Sequence, residues 1–254
     1  MSFTLANAGD AWGLKDQFDF LGPAHLSVFA VLAITFWVLI RVARDPSRVF
    51  LWRKLDVALA LILLWTFPAK VLSRYIGDVT MDPPLWPMQF CDWAAAAGFF
   101  ALILRSDRMA ELTYFWAMAG TLQGLLTPTI EVGFPHPAWF AFFQLHGGVV
   151  LVALYLVFGH GWRPRKGAVM RVFLAANVYA VFAGLVNLLS VDNNYGFLRK
   201  KPDSGSMLDA LGPWPIYLFW MELVALAVFV LFDMPFWRGR RARLARLEAC
   251  NERP

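Results

Sequence analysis

Two residues of this 254-residue chain could carry nucleophilic chemistry between them, Cys91 and His146. A cysteine attacks an acyl carbon as its thiolate, and a nearby imidazole can take the thiol proton and later protonate the leaving group. Each lies six or seven residues inside an apolar run, with the runs opening at Leu85 and Trp139. Both are thus expected about 10 Å deep at the α-helical rise, and equal depth permits contact. A helix opening around Pro84–Pro87 would set Cys91 near a helix N-terminus. There the dipole favours the thiolate while apolar burial opposes it. The plainer reading stays open: Cys91 as a small buried hydrophobe, His146 as an interhelical hydrogen-bond partner.

Other polar residues share the same end of the chain's apolar runs. Asp92 follows Cys91 but points about 100° away on a helix, as a structural pairing residue would. Glu222 lies in the last apolar run and reads as a helix-packing group. Gln123 and Thr127 stand four residues apart on one helical face, where amide and hydroxyl could hold a carbonyl or headgroup; a Thr-Pro helix exit explains them equally. The triplet Arg199, Lys200 and Lys201 would suit a phosphate, or simple surface solvation. His25, His136 and His160 lack metal-site spacing, so no metal and no other cofactor is expected.

What must position these residues is a set of membrane helices. With 59% hydrophobic and 16% charged residues, the chain is more apolar than a soluble domain needs. A bilayer span takes roughly 20 apolar residues, and seven such runs lie near 24–42, 52–75, 85–104, 110–127, 139–158, 168–190 and 213–232. The expected fold is an all-α, polytopic membrane protein of about seven transmembrane helices, forming a single domain over 1–254. Asp10, Asp16 and Asp19 against Lys15 argue that the leading segment is not a cleavable signal. Cys91 and Cys250 are the two cysteines, too few for a disulfide framework.

Lys and Arg in alternate loops set the orientation. Seventeen of the 23 fall after runs one, three, five and seven, for example Arg41, Arg105, Arg163 and Arg238. That side is predicted cytoplasmic, giving an N-terminus outside and a C-terminus inside. The net charge of +5 then reflects anchoring at anionic headgroups rather than nucleic-acid binding. Cys91, His146, Gln123, Asn187 and the 193–202 loop all fall to the outer side, while the inner loops look basic and otherwise plain. A seven-helix carrier or receptor is the rival reading, although no internal repeat of the kind common in transporters is visible.

Several separated motifs also carry a resemblance. Cys91-Asp92, then Gly120-Thr121-Leu122-Gln123-Gly124-Leu125-Leu126-Thr127-Pro128 and Phe142-Phe143-Gln144-Leu145-His146-Gly147, follow the order of the YwaF-like family of integral membrane proteins. Leu185-Val186-Asn187, the stretch from Asn194 and Tyr195 to Pro202, and Leu208 to Pro215 continue it, so the resemblance runs from about Gly22 to Phe236. The family includes the vertebrate transmembrane protein 164, an acyltransferase working on phospholipids with an essential cysteine and histidine. The resemblance implies a phospholipid and a lysophospholipid as substrates, in a multi-pass protein of a bacterial inner membrane. The catalytic pair would fall on Cys91 and His146. Substrate contacts would fall on Gln123, Thr127, Asn187, Asn194, Tyr195, Arg199, Lys200 and Lys201. With water as acceptor the same pair would make a lipid hydrolase. Gly124 and Gly196 are smaller than the resemblance leads one to expect, which would widen a pocket there.

Overall fold

Where water is absent, only a closed hydrogen-bond ladder satisfies the backbone, so apolar runs of this length become helices. A computed structural model describes residues 17–76, 86–202 and 207–251 and holds seven helices. They are α1 (Pro23–Ala43), α2 (Val49–Ile76), α3 (Phe90–Leu104), α4, α5 (Pro137–Phe158), α6 (Ala168–Asn187) and α7 (Ile216–Asn251). Helix α4 has three stretches: Asp107–Trp116 and Leu122–Leu126 are α-helical, and Ala117–Thr121 between them widens into a π turn. The described residues contain no strand, only a bridge between Gln17 and Val132. Lys15, Asp10, Asp16 and Pro84 lie outside the described residues, as does the side chain of Cys250.

Five helices, α1, α2, α5, α6 and α7, are long and apolar enough to cross a membrane. Helix α3 is apolar but has only 15 residues, reaching about 22 Å against a hydrocarbon layer of about 30 Å. It starts at Phe90 rather than Leu85, because Pro87 lacks an N–H and disfavours helical geometry in the residue before it. Helix α4 opens on a polar turn, Asp107 to Glu111, capped by Ser106, whose hydroxyl accepts from the Met109 N–H. The chain is therefore an all-helical, multi-pass membrane protein; of the seven helices among the described residues, five have the length and apolarity of spans.

Helix α5 is the axis of the bundle: 72% of its span is buried, against 17% for α1, α6 and α7. It packs against α1, α2, α3 and α4. The outer helices turn Val31, Ile34 and Trp37 of α1, Val181 and Phe182 of α6, and Phe219 of α7 outward. So broad an apolar surface fits lipid as its solvent.

At the end away from Cys91 the loops are not plain, contrary to the sequence expectation. Buried Glu111 accepts from Arg165 Nε at 2.9 Å and Arg171 Nη2 at 2.8 Å, with further donations from both guanidinium groups. Buried Asp56 accepts from the Tyr155 hydroxyl at 2.9 Å and faces His160 Nε2 at 2.8 Å. Asp233 pairs with Arg240. Partners such as Glu111 and Arg171 lie 60 residues apart, which is why these arginines read as headgroup anchors in the sequence. Removing one partner of a buried pair costs about 3 kcal/mol. Glu111→Ala should therefore melt at lower temperature in detergent by circular dichroism; an unchanged melting temperature would reduce the cluster to surface solvation.

Candidate functional site

Gln89 has an extended backbone, and α3 begins immediately after it, so Cys91 stands in the first helical turn rather than six residues inside. His146 is the tenth residue of α5, which starts at Pro137. Counting from helix starts therefore does not equate their depths; only the packing relates the two. Next to Cys91, Asp92 is buried and its two carboxylate oxygens each accept from Lys70 Nζ at 2.7 Å. Asp92 also accepts from the Gln89 N–H at 3.2 Å, closing the first turn of α3. The expectation that Asp92 is a pairing residue thus has a partner, on α2.

The element between thiol and imidazole is α4. A Cβ built on Gly120 would come within 2.7 Å of Phe90 Cδ1, and one on Gly124 within 2.4 Å of His146 Cδ2 and 2.6 Å of Nε2. Between them Thr121, fully buried, lies near the Cys91 thiol. Its Oγ1 has no hydrogen-bond partner among the described residues. Thr121 lies in the π turn, a departure from α-helical winding that recurs at functional sites. It precedes Gly124 by three residues, about 4.5 Å along the axis. One small-residue face of α4 thus meets α3 at the cysteine and α5 at the histidine. Lys70 lies within electrostatic reach of both side chains.

The histidine is oriented by its own helix. His146 Nδ1 is 2.8 Å from the Phe142 carbonyl. That oxygen can only accept, so Nδ1 carries the proton and Nε2 keeps its lone pair. The ring stacks on Phe142 with centroids 4.1 Å apart. Cys91 and His146 make no direct hydrogen bond to each other. Gln123, also on this stretch of α4, is half-buried, and its side-chain amide has no hydrogen-bond partner among the described residues. The Thr127 hydroxyl donates to the Gln123 carbonyl at 3.0 Å and is exposed, so the two side chains do not form a joint carbonyl clamp.

The remaining expected contacts belong to a well-braced loop after α6. Asn187 donates to the Tyr195 carbonyl at 3.0 Å and accepts from the Tyr195 N–H at 2.8 Å, using both ends of its amide. The Tyr195 hydroxyl accepts from the Trp86 N–H. Asn194 Oδ1 accepts from the N–H groups of Arg199 and Lys200, and its Nδ2 donates to the Lys200 carbonyl. Arg199 donates to the carbonyls of Ser190 and Val191, just beyond the end of α6. Lys201 lies 3.7 Å from the Asp209 carboxylate, and the Lys200 side chain is exposed. Gly196 has φ +67°, and a Cβ there would lie 3.2 Å from the Tyr179 hydroxyl. It serves the turn, not a wider pocket. At Gly124 the freed space is filled by the His146 ring.

The other singled-out residues are satisfied locally. Leu21 N–H donates to His25 Nδ1, so Nε2 carries the proton toward the Leu125 carbonyl at 3.0 Å. His136 caps α5 through the Ala138 N–H. Glu222 accepts from Asn177 at 3.1 Å, joining α7 to α6. Among the described residues, no three of His, Cys, Asp and Glu come together as metal ligands. A cavity of about 330 Å³ lies where α1 starts, bordered by Asp19, Phe134 and Trp139; neither Cys91 nor His146 lines it. Sequence reasoning missed Lys70 and Thr121. A lysine within an apolar run is itself a signal; in the sequence Lys70 is one of the six Lys and Arg outside the loops predicted cytoplasmic.

No curated protein and no solved structure matches the chain. A family match does exist: residues 20–233 fit the TMEM164 family. That interval contains α3, the small-residue face of α4, His146 and the braced loop, the same motifs on which the resemblance rests. Covering most of the 254 residues, the match places this membrane protein in the TMEM164 family.

Proposed function

We propose that the chain is a membrane-embedded acyltransferase that moves a fatty acyl chain from a phospholipid to a lysophospholipid through a thioester on Cys91. The observation that carries this reading is the placing of thiol and imidazole against one face of α4, with His146 Nε2 left as an unpartnered base. His146 Nε2 takes the Cys91 proton as the sulfur attacks the ester carbonyl. The S–C bond forms, the ester C–O bond breaks, and the imidazolium returns its proton to the departing alkoxide. A lysophospholipid hydroxyl then attacks the thioester, His146 removes its proton, and the sulfur leaves and is reprotonated.

The uncommitted Gln123 amide would donate to the tetrahedral oxyanion. Asn187 is a positioning residue for the loop instead, since its amide is already spent on Tyr195. The charge bias of the loops supports a site facing away from the cytoplasm, in the outer leaflet of a bacterial inner membrane.

Purified protein incubated with chain-labelled phospholipid should accumulate a hydroxylamine-sensitive acyl group on Cys91 and pass it to added lysophospholipid. Undiminished transfer by Cys91→Ser would sink the thioester route. Release of free fatty acid alone would make water the acceptor.

A further inference from the structure

We infer that Lys70 and Arg74 of α2 form an anion subsite that takes the phosphodiester of a phospholipid headgroup. The two are four residues apart, so they share a helical face, with Arg74 about 6 Å nearer the end of the helix. Helix α2 packs against both α3 and α5, the helices that bear Cys91 and His146. The ion pair with Asp92 at 2.7 Å fixes Lys70 on the face toward α3.

Neither cation is fully used by the protein. An ammonium has three donors, and the Asp92 oxygens engage two of them. The Lys70 side chain keeps 20% of its surface exposed. Arg74 is half-buried and has no ion-pair or hydrogen-bond partner among the described residues. Arg74 stands in the last turn of α2, at the depth where lipid headgroups begin, and an anionic ligand there would give it a counter-ion. The guanidinium fork matches phosphate oxygens in pairs. By contrast, Arg199 already donates to the carbonyls of Ser190 and Val191, and Lys201 faces Asp209. The phosphate role expected of that triplet therefore fits the α2 pair better.

The order along α2 also fits a lipid. Lys70 stands level with the Cys91 turn through Asp92, and Arg74 lies one turn further toward the end of the bundle. In a phospholipid the phosphate likewise lies outward of the glyceryl esters. This deepens the acyl-transfer reading, on which the fate of the bound lipid depends; the binding itself does not.

The test is equilibrium binding of a fluorescent lysophospholipid to the purified chain in maltoside micelles, which contain no phosphate. A monoacylglycerol with the same chain serves as the phosphate-free ligand. Arg74→Gln and the charge-balanced Lys70→Met/Asp92→Asn double variant should each weaken lysophospholipid binding about tenfold or more, as loss of a charge-assisted hydrogen bond does. Monoacylglycerol binding should not change. Asp92→Asn alone, which releases Lys70, should bind the lysophospholipid at least as tightly as wild type. Equal weakening for both ligands, or none for either, would overturn the assignment. Displacement by millimolar inorganic phosphate as effective as displacement by unlabelled lysophospholipid would overturn its lipid source. A wild-type chain that binds in this pattern yet transfers no acyl group would sink the acyl-transfer reading and leave the subsite standing.

Discussion

His146→Ala is expected to slow acylation of Cys91 by about 10²- to 10⁴-fold, the usual contribution of a positioned general base. The reason lies in its hydrogen bonding. The Phe142 carbonyl holds Nδ1 at 2.8 Å and so fixes which nitrogen carries the proton. Nε2 is left facing Gly124 of α4, three residues beyond Thr121. No other imidazole can substitute, since His25, His136 and His160 are each tied to partners of their own. Single-turnover acylation with labelled phospholipid would measure the loss. Wild-type rates in a folded His146→Ala protein would remove the histidine from the chemistry and leave it as a packing group.

Gly124→Ala should cost about 10²-fold in transfer although it alters neither Cys91 nor His146 itself. Its Cβ would lie 2.4 Å from His146 Cδ2 and 2.6 Å from Nε2, closer than real contacts permit. The ring cannot yield freely, being stacked on Phe142 at 4.1 Å and held through Nδ1. Misplacing a catalytic group by about 1 Å is enough for a loss of that size, while overpacking itself costs about 1–3 kcal/mol. Helical content and melting temperature in detergent should therefore fall modestly while transfer falls steeply. A variant with wild-type transfer would show that the orientation of His146 against α4 is immaterial.

Composition and run length were sufficient to establish a helical membrane protein, because backbone burial in lipid admits few solutions and apolar length is read directly from the residues. The motif order likewise carried the family. The start of α3 was not readable from the sequence. Hydropathy continues through Leu85 and Trp86, whereas the helix waits for Phe90 after the conformational restriction around Pro87. Charge was legible in amount but not in use. Arg199 and Lys201 look like phosphate ligands in a linear reading, yet Arg199 donates to carbonyls beyond the end of α6 and Lys201 faces Asp209.

The sequence by itself determined the class of the protein, an all-helical membrane chain, and its family, whereas its seven apolar runs resolve, among the described residues, into five helices with the length and apolarity of spans. Class and family depend on local properties, apolar length and the order of short motifs. Only the tertiary structure decided that Lys70 pairs with Asp92, that Thr121 faces Cys91, and that the space at Gly124 belongs to the His146 ring. Those relations join residues on separate helices. They depend on how each helix is rotated and how far it slides along its neighbours, which apolar periodicity leaves unspecified when lipid and core are equally apolar.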